Sequence, residues 1–312
     1  NIVSGEVGLL KTHFFDYFNP KGPLKKSIVS ALPDGRVEEK YRPTLNAIGA
    51  CYQDGRLTRA GKDKAITLVS PVKEQIAAFN SCAECDRSVF YQEAKWILNE
   101  KVEVEHLKRL SEQGYFVVPH SSNVLTMVAV TFATIALERM CVRYGESNVV
   151  GKNGLWLHSD FEEHPPCVEV IECGFAEGPE RLVKAWKGFA LHAIGNIDLK
   201  YFEKRFIEVA EKTSWVYSRN HPVDKHVEEV CQLVRSVNTS FFRRFVYEKL
   251  KGGINTIGWP DLTVFSENGA WLIELKKDSD RLHISQVRTI QLILERMPSV
   301  NNVKVLRHFD RV

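Results

Sequence analysis

Net charge is almost absent from this chain: 42 Lys and Arg stand against 39 Asp and Glu in 312 residues, leaving +3. By itself that balance says little about a polyanionic partner. Long apolar runs are also missing. The most apolar stretch, Val124 to Leu137, is interrupted by Thr126, Thr131 and Thr134 and closed by Glu138-Arg139. It falls short of the ~20 residues that cross a bilayer, so it reads as a buried helix capped by Ser121, Ser122 or Asn123, and no membrane partner is expected. Cysteine is sparse and odd in number, seven in all, which argues against a disulfide framework and for folding in a reducing cytoplasm. Cys82-Ala83-Glu84-Cys85 has zinc-like spacing, but no second such pair or His-x-x-x-His follows at finger spacing, so ordinary thiols are expected. No signal peptide and no fixed 34-residue repeat are visible, and 44% hydrophobic with 26% charged residues makes no compositional case for long disorder. The chain begins at Asn1 without Met, so it reads as an excerpt of a longer polypeptide or a processed product.

The length suits about two domains. Residues 1–60, punctuated by Pro20, Gly22, Pro23, Pro33, Gly35 and Pro43, read as an irregular lead-in. Residues 61–154 read as a helical scaffold, with apolar residues at three-to-four spacing over Val72 to Phe79, Ser88 to Asn99 and Val104 to Glu112. Further helices are expected from Gly178 to Ile194, from an Asp198 cap to Lys212 with Phe202, Phe206, Ile207 and Val209 on its apolar side, and over Pro222 to Val237. Thr239-Ser240 should cap a helix over Phe241 to Leu250, in which Arg243, Arg244 and the following Lys251 interleave with aromatics. Such a pattern can hold a nucleic-acid backbone, although core packing of Phe242, Phe245 and Tyr247 with solvated basic residues is the stronger reading.

The chemistry concentrates between Gly258 and Gln286. Asp261 to Phe265 and Trp271 to Lys276 are β-prone runs separated by a segment containing Asn268-Gly269, a strong hairpin signal. Alternation along a strand puts Glu274 and Lys276 on one face, and pairing across the hairpin brings Asp261 near Glu274. Two carboxylates and an ammonium then converge. Buried, such a group calls for compensation, and carboxylate oxygens suit Mg²⁺ or Mn²⁺; exposed, it is an ordinary surface ion pair. Beyond the hairpin, Lys277, Asp278, Asp280 and Arg281 form a charged loop, Ser285 should cap a helix from Gln286 to Arg296 stopped by Pro298, and Val303 to Leu306 is a last strand. From Ser240 onward 12 Lys and Arg face 8 Asp and Glu, so this is the basic end of the chain.

The order Gly258-x-Pro260-Asp261, hairpin, Glu274-x-Lys276, Asp280-Arg281-Leu282, then Gln286 opening a helix resembles the VRR-NUC domain. This branch of the PD-(D/E)XK nuclease superfamily occurs in Fanconi-anaemia-associated nucleases and in bacterial effector toxins. Leu275 stands where Val is common in the family, and His283-Ile284-Ser285 replaces a Ser-rich turn. The resemblance implies a mixed α/β fold: a largely helical N-terminal half, then, over residues 155–312, a core with a central mixed sheet flanked by helices. It implies that Asp261, Glu274 and the Leu275 carbonyl bind Mg²⁺ or Mn²⁺, that Lys276 is catalytic and that Gln286 faces the site. One further acid should come from upstream. His158-Ser159-Asp160 stands where the family has His-x-Glu, at a spacing longer by about two residues, so Asp160, Glu162, Glu163 and Glu169 are candidates, with Glu163 and Asp160 favoured.

The resulting expectation is a metal-dependent deoxyribonuclease for branched, flapped or frayed DNA with single-strand/double-strand junctions, its backbone contacts drawn from Arg243, Arg244, Lys251, Lys277 and Arg281. The setting is open between a repair enzyme and the C-terminal toxin of a secreted interbacterial effector. A toxin would act in the cytoplasm of a bacterial target cell after delivery and would have a cognate acidic immunity protein. The competing class is a non-catalytic DNA-binding module on a nuclease fold.

Overall fold

The computed structural model describes residues 18–83, 85–94, 101–120, 124–125, 128, 131, 135, 199–212, 230–233, 237–251, 258–267, 269–277 and 279–308. In chain order the elements are α1 (Gly22–Ser30), α2 (Arg42–Ala47), α3 (Arg59–Leu68), α4 (Val72–Cys82), β1 (Val89–Ala94), α5 (Val102–Glu112), β2 (Phe116–Pro119), α6 (Leu199–Lys212), α7 (Thr239–Lys251), β3 (Leu262–Ser266), β4 (Gly269–Lys276), α8 (Ile284–Arg296) and β5 (Val300–His308).

The five strands make one mixed sheet in the order β1-β5-β4-β3-β2. The expected hairpin is its centre: Leu262 pairs with Ile273 and Ser266 with Gly269, leaving a two-residue loop between β3 and β4. β5 runs parallel to β4 on one side and to β1 beyond it, while β2 lies antiparallel to β3. Two of the five strands therefore come from residues upstream of 155, where a purely helical scaffold was expected.

β1 stands in the described part of the helix expected over Ser88 to Asn99. Val89-Phe90-Tyr91 is a β-branched and aromatic run, and the parallel partner β5 supplies the ladder that turns this preference into a strand. The lead-in also departs from expectation, because its prolines start helices instead of breaking them. Pro23 and Pro43 sit in the first turns of α1 and α2, where a missing N–H costs nothing. Ile28, Ala31, Val37, Leu45, Ala50, Cys51, Leu57, Ala65 and Leu68 bury a second, smaller core there.

The main core lies on the sheet face that carries Phe265, Ala270, Leu272, Val303 and Val305. Against it pack Val72, Ile76 and Phe79 of α4, Phe202 and Phe206 of α6, Phe242 and Phe245 of α7, and Val287, Ile290 and Ile293 of α8. Each fully buried side chain of this size contributes roughly 1.5–3 kcal/mol. Ile207, expected on the apolar side of α6, is instead 38% exposed. Val124, Val128, Thr131 and Ile135 are buried at helical spacing, as the apolar stretch there predicts. The opposite sheet face carries Leu262, Val264, Ile273 and Leu306, with Leu110 of α5 packed on them. Among the described residues no helix is long and apolar enough to cross a membrane.

Candidate active site

Gly258 opens the approach to β3 at φ +80°, a conformation that L side chains rarely adopt. Its backbone lies so close to the first turn of α8 that an added Cβ would stand 2.4 Å from the carbonyl of Ser285. That contact ties the segment leading into Asp261, three residues on, to the start of α8. The Trp259 indole follows, donating from Nε1 to Thr263 Oγ1 at 3.0 Å while Lys249 Nζ sits 3.7 Å above its ring centroid. Asp261 then accepts from the Leu275 backbone N–H at 2.7 Å through Oδ2, the cross-hairpin placement that the register requires.

Glu274 and Lys276 stand on the main-core face of β4, 1% and 6% exposed, so this is no surface ion pair. Lys276 Nζ lies 2.8 Å from Glu274 Oε1. Gln286 binds both: its Oε1 accepts from Lys276 Nζ at 3.1 Å, and its Nε2 donates to Glu274 Oε1. Gln286 Oε1 also accepts from the His283 backbone N–H at 2.9 Å. Gln286 thus closes the N-terminus of α8 from its third position while bridging the charged pair. Ser285 is not the cap, because α8 begins at Ile284 with His283 ahead of it. On α7 too the cap falls earlier than expected: Asn238 Oδ1 accepts from the N–H groups of Ser240 and Phe241.

The electrostatics are those of a site short of positive charge. Burial pushes the Glu274 carboxyl up to about 7, with the Asp261 carboxylate adding to the rise and Lys276 and Gln286 opposing it. Asp261 is likewise raised by burial, against the Leu275 N–H bond and Lys276. Glu274 Oε2 is buried without a hydrogen-bond partner, a costly state for a carboxylate oxygen. An orphaned oxygen beside a second carboxylate fits a hard divalent cation, with Asp261 and Glu274 as the residues that would hold it.

A third carboxylate is within electrostatic reach. Glu103, in the first turn of α5, adds with Asp280 to the rise that burial gives Asp261; burial holds His120 down, with Glu103 opposing, and the His120 backbone N–H donates to the Asp261 carbonyl at 2.7 Å. Among the described residues no three His, Cys, Asp or Glu side chains converge closely enough to hold a metal together. Asp160, Glu162, Glu163 and Glu169, the acids proposed upstream, lie outside the described residues. Glu103 escaped the sequence reading because β2 was not seen. The signal was there in Phe116-Val117-Val118, a β-prone run after Gly114, which makes α5 a core helix preceding the hairpin.

Gln75 of α4 was missed as well. Fully buried, it donates from Nε2 to the Leu282 carbonyl at 3.0 Å and accepts from the Leu282 N–H at 2.9 Å, pairing with that backbone as a strand would. Asp280 Oδ2 accepts from the Lys277 N–H at 3.0 Å, which closes the charged loop on itself. Phe242 and Phe245 are core residues, and Arg244 is paired with Glu248 Oε1 at 2.7 Å. Lys277 and Arg281 are exposed next to the site, whereas the side chain of Lys251 lies outside the described residues.

No family model matches the chain, and no curated protein does. Among the solved structures similar to it are two crystal structures of paFAN1 bound to gapped 5′-flap DNA. With a 2-nucleotide flap the identity is 14%, covering 88% of this chain and 53% of that one at a TM-score of 0.43. With a 1-nucleotide flap the identity is 14%, covering 97% and 62% at a TM-score of 0.44. The chain spans about half to three-fifths of the length of the protein in these structures.

Proposed function

We propose that this chain is a nuclease that hydrolyses DNA phosphodiester bonds with Mg²⁺ or Mn²⁺. The observation that carries the reading is Glu274: a carboxylate 1% exposed, bound on one oxygen by Lys276 and Gln286 and left without a partner on the other, beside Asp261. A purely structural ion pair satisfies both oxygens; this one leaves an oxygen free for a cation. When bound, the cation supplies charge neutralisation on the phosphate and acidifies water. Lys276 Nζ, fixed by Gln286, is a point charge placed for the scissile phosphate or the attacking water. The Asp261 carboxylate is aimed by the Leu275 N–H. Glu103, whose charge acts on Asp261, is the described candidate for the third acid.

Selectivity for branched, flapped or frayed DNA is part of the proposal. So are the two settings, repair enzyme or toxin with an acidic immunity partner, in a reducing cytoplasm. Expression in a bacterial cytoplasm separates them: growth arrest with DNA damage, abolished by Lys276→Ala, supports the toxin, and harmless expression of an enzyme active in vitro supports repair.

The test of the activity is incubation of the pure protein with 5′-flap, splayed-arm and linear duplex DNA in Mg²⁺, Mn²⁺ or EDTA. Cleavage with either cation, falling by about 10²-fold or more in Asp261→Ala and Lys276→Ala, is expected. Absence of metal-dependent cleavage, or cleavage indifferent to Asp261→Ala, overturns the proposal in favour of a binding module. Glu103→Gln, Asp160→Asn and Glu163→Gln compared side by side identify the third carboxylate.

A further inference from the structure

Beside the site, across the loop that Gln75 holds, lies an open groove of about 490 Å³. One wall is Arg281, Leu282, His283 and Ile284; opposite stand Lys21 and Lys25 at the start of α1, with Lys64 and Thr67 of α3 forming the floor. Among the described residues no carboxylate lines it. Lys21 and Arg281 are exposed, Lys25 is half-buried, and none of the three is engaged by an ion pair or side-chain hydrogen bond among the described residues.

Elsewhere on the described surface several basic side chains are paired. Arg56 meets Asp54, Arg59 meets Glu295, Lys62 meets Asp34, Arg109 meets Glu105 and Arg244 meets Glu248. Lys21, Lys25 and Arg281, with Lys64 on the floor, gather like charge around one concavity with no acid among the described lining residues, an arrangement that favours an anion entering between them. At Gly22, an added Cβ would meet nothing within 4 Å, so the rim is open to a bulky ligand.

We infer that this groove is a binding subsite for one strand of nucleic acid, taking an internal stretch of phosphodiester backbone. The volume is that of a nucleotide-sized ligand, too narrow for a duplex. Its position argues for substrate over a separate small molecule: the His283 N–H that borders the groove donates to Gln286 Oε1, the same atom that holds Lys276. A strand seated between Lys21, Lys25 and Arg281 therefore borders the turn whose Gln286 holds both Lys276 and Glu274. Leu68, Leu282 and Ile284 give the groove an apolar side for a base. The inference rests on the nuclease reading for its direction and concerns residues that the reading does not use, Arg281 excepted.

The test is fluorescence-anisotropy titration of a 20-nucleotide single-stranded oligonucleotide in EDTA, over a salt series, with the full chain. Lys21→Ala/Lys25→Ala/Arg281→Ala is compared with Lys73→Ala/Lys108→Ala/Lys204→Ala, which removes three exposed lysines that do not line the groove. The groove variant should bind at least tenfold more weakly, and its log–log salt slope should be shallower by about 2, the value for three phosphate contacts on a single strand. The control variant should match the wild type, and thermal melts of both should coincide with it. Equal loss in both variants, or no loss in the groove variant, overturns the subsite. So does a loss seen only with a 5′-phosphorylated oligonucleotide, which identifies a terminal-phosphate pocket, or competition by millimolar deoxyadenosine monophosphate, which identifies a mononucleotide site. Wild-type protein that binds the oligonucleotide through the groove but cleaves nothing with Mg²⁺ or Mn²⁺ sinks the nuclease reading alone. Cleavage with unaltered KM in the groove variant sinks the groove alone.

Discussion

Gly258→Ala should damage stability and the site together, and the structure sets the size of the effect. Two contributions add. The backbone at φ +80° is left-handed, and holding an L residue there costs about 1–2 kcal/mol. The new Cβ would also stand 2.4 Å from the carbonyl carbon and oxygen of Ser285 and 2.8 Å from the Gln286 nitrogen, where ordinary contact begins at 3.4 Å. Those neighbours are helix backbone, so relief requires the Gly258 loop and α8 to separate by about 1 Å, an overpacking cost of about 1–3 kcal/mol. The total is roughly 2–5 kcal/mol, a large share of the stability of an ordinary domain. Gly114→Ala is the internal control: its φ is +84°, but a Cβ there meets nothing within 4 Å, so only the conformational part should appear. Urea denaturation of both variants isolates the packing part as their difference. Because the same separation shifts the first turn of α8, whose Gln286 holds Lys276 and Glu274, Gly258→Ala should also lower cleavage at temperatures where it remains folded, and Gly114→Ala should not. Equal losses of stability in the two variants would refute the close approach of the loop to α8.

Gln75→Leu keeps roughly the shape of the side chain but strands the buried Leu282 N–H and carbonyl, at about 1–3 kcal/mol each, so the urea midpoint should fall markedly; a shift no larger than that of a surface mutation would show that the Leu282 backbone finds other partners. His106 and His308 are both buried, with their Nε2 atoms 2.5 Å apart, and burial together with the neighbouring imidazole holds His106 down at about 4 instead of its ordinary 6.5. A depressed folded value means that the unfolded chain takes up the proton first as the solution is acidified. Stability conferred above pH 6.5 is therefore lost on descent towards pH 4, by up to about 3 kcal/mol at 1.4 kcal/mol per pH unit, and His106→Leu should flatten the curve measured by urea melts at pH 7, 6 and 5.

What the sequence discloses and what it hides divide along the distance between partners. Asp261, Glu274 and Lys276 were legible because a two-residue alternation and an Asn-Gly turn act within sixteen residues, and both are local. The buried helix positions Phe202, Phe242 and Phe245 followed from a local period in the same way. Gln75, Glu103, β1 and β2 were not legible, because each acquires its role from a partner far along the chain. Val89 to Ala94 has apolar residues at helical spacing as well as β-prone types, and only β5 decides between them. Gln75 has nothing near it in sequence to mark it; its partner is 207 residues away.

The parallel pairing of β1 with β5 also dictates when this protein can become itself. Val89 waits for Val303, and closing a loop over that separation costs about 5 kcal/mol of chain entropy before any contact rewards it. During synthesis at roughly 5–20 residues per second, that wait lasts on the order of 10 to 40 s, with β1 held to α4 through Asn80 but its ladder partner not yet made. Asp261, Glu274 and Gln286 emerge late, and the parallel partner of their strand emerges later still. The chemistry is therefore withheld from the nascent chain until β5 has left the ribosome.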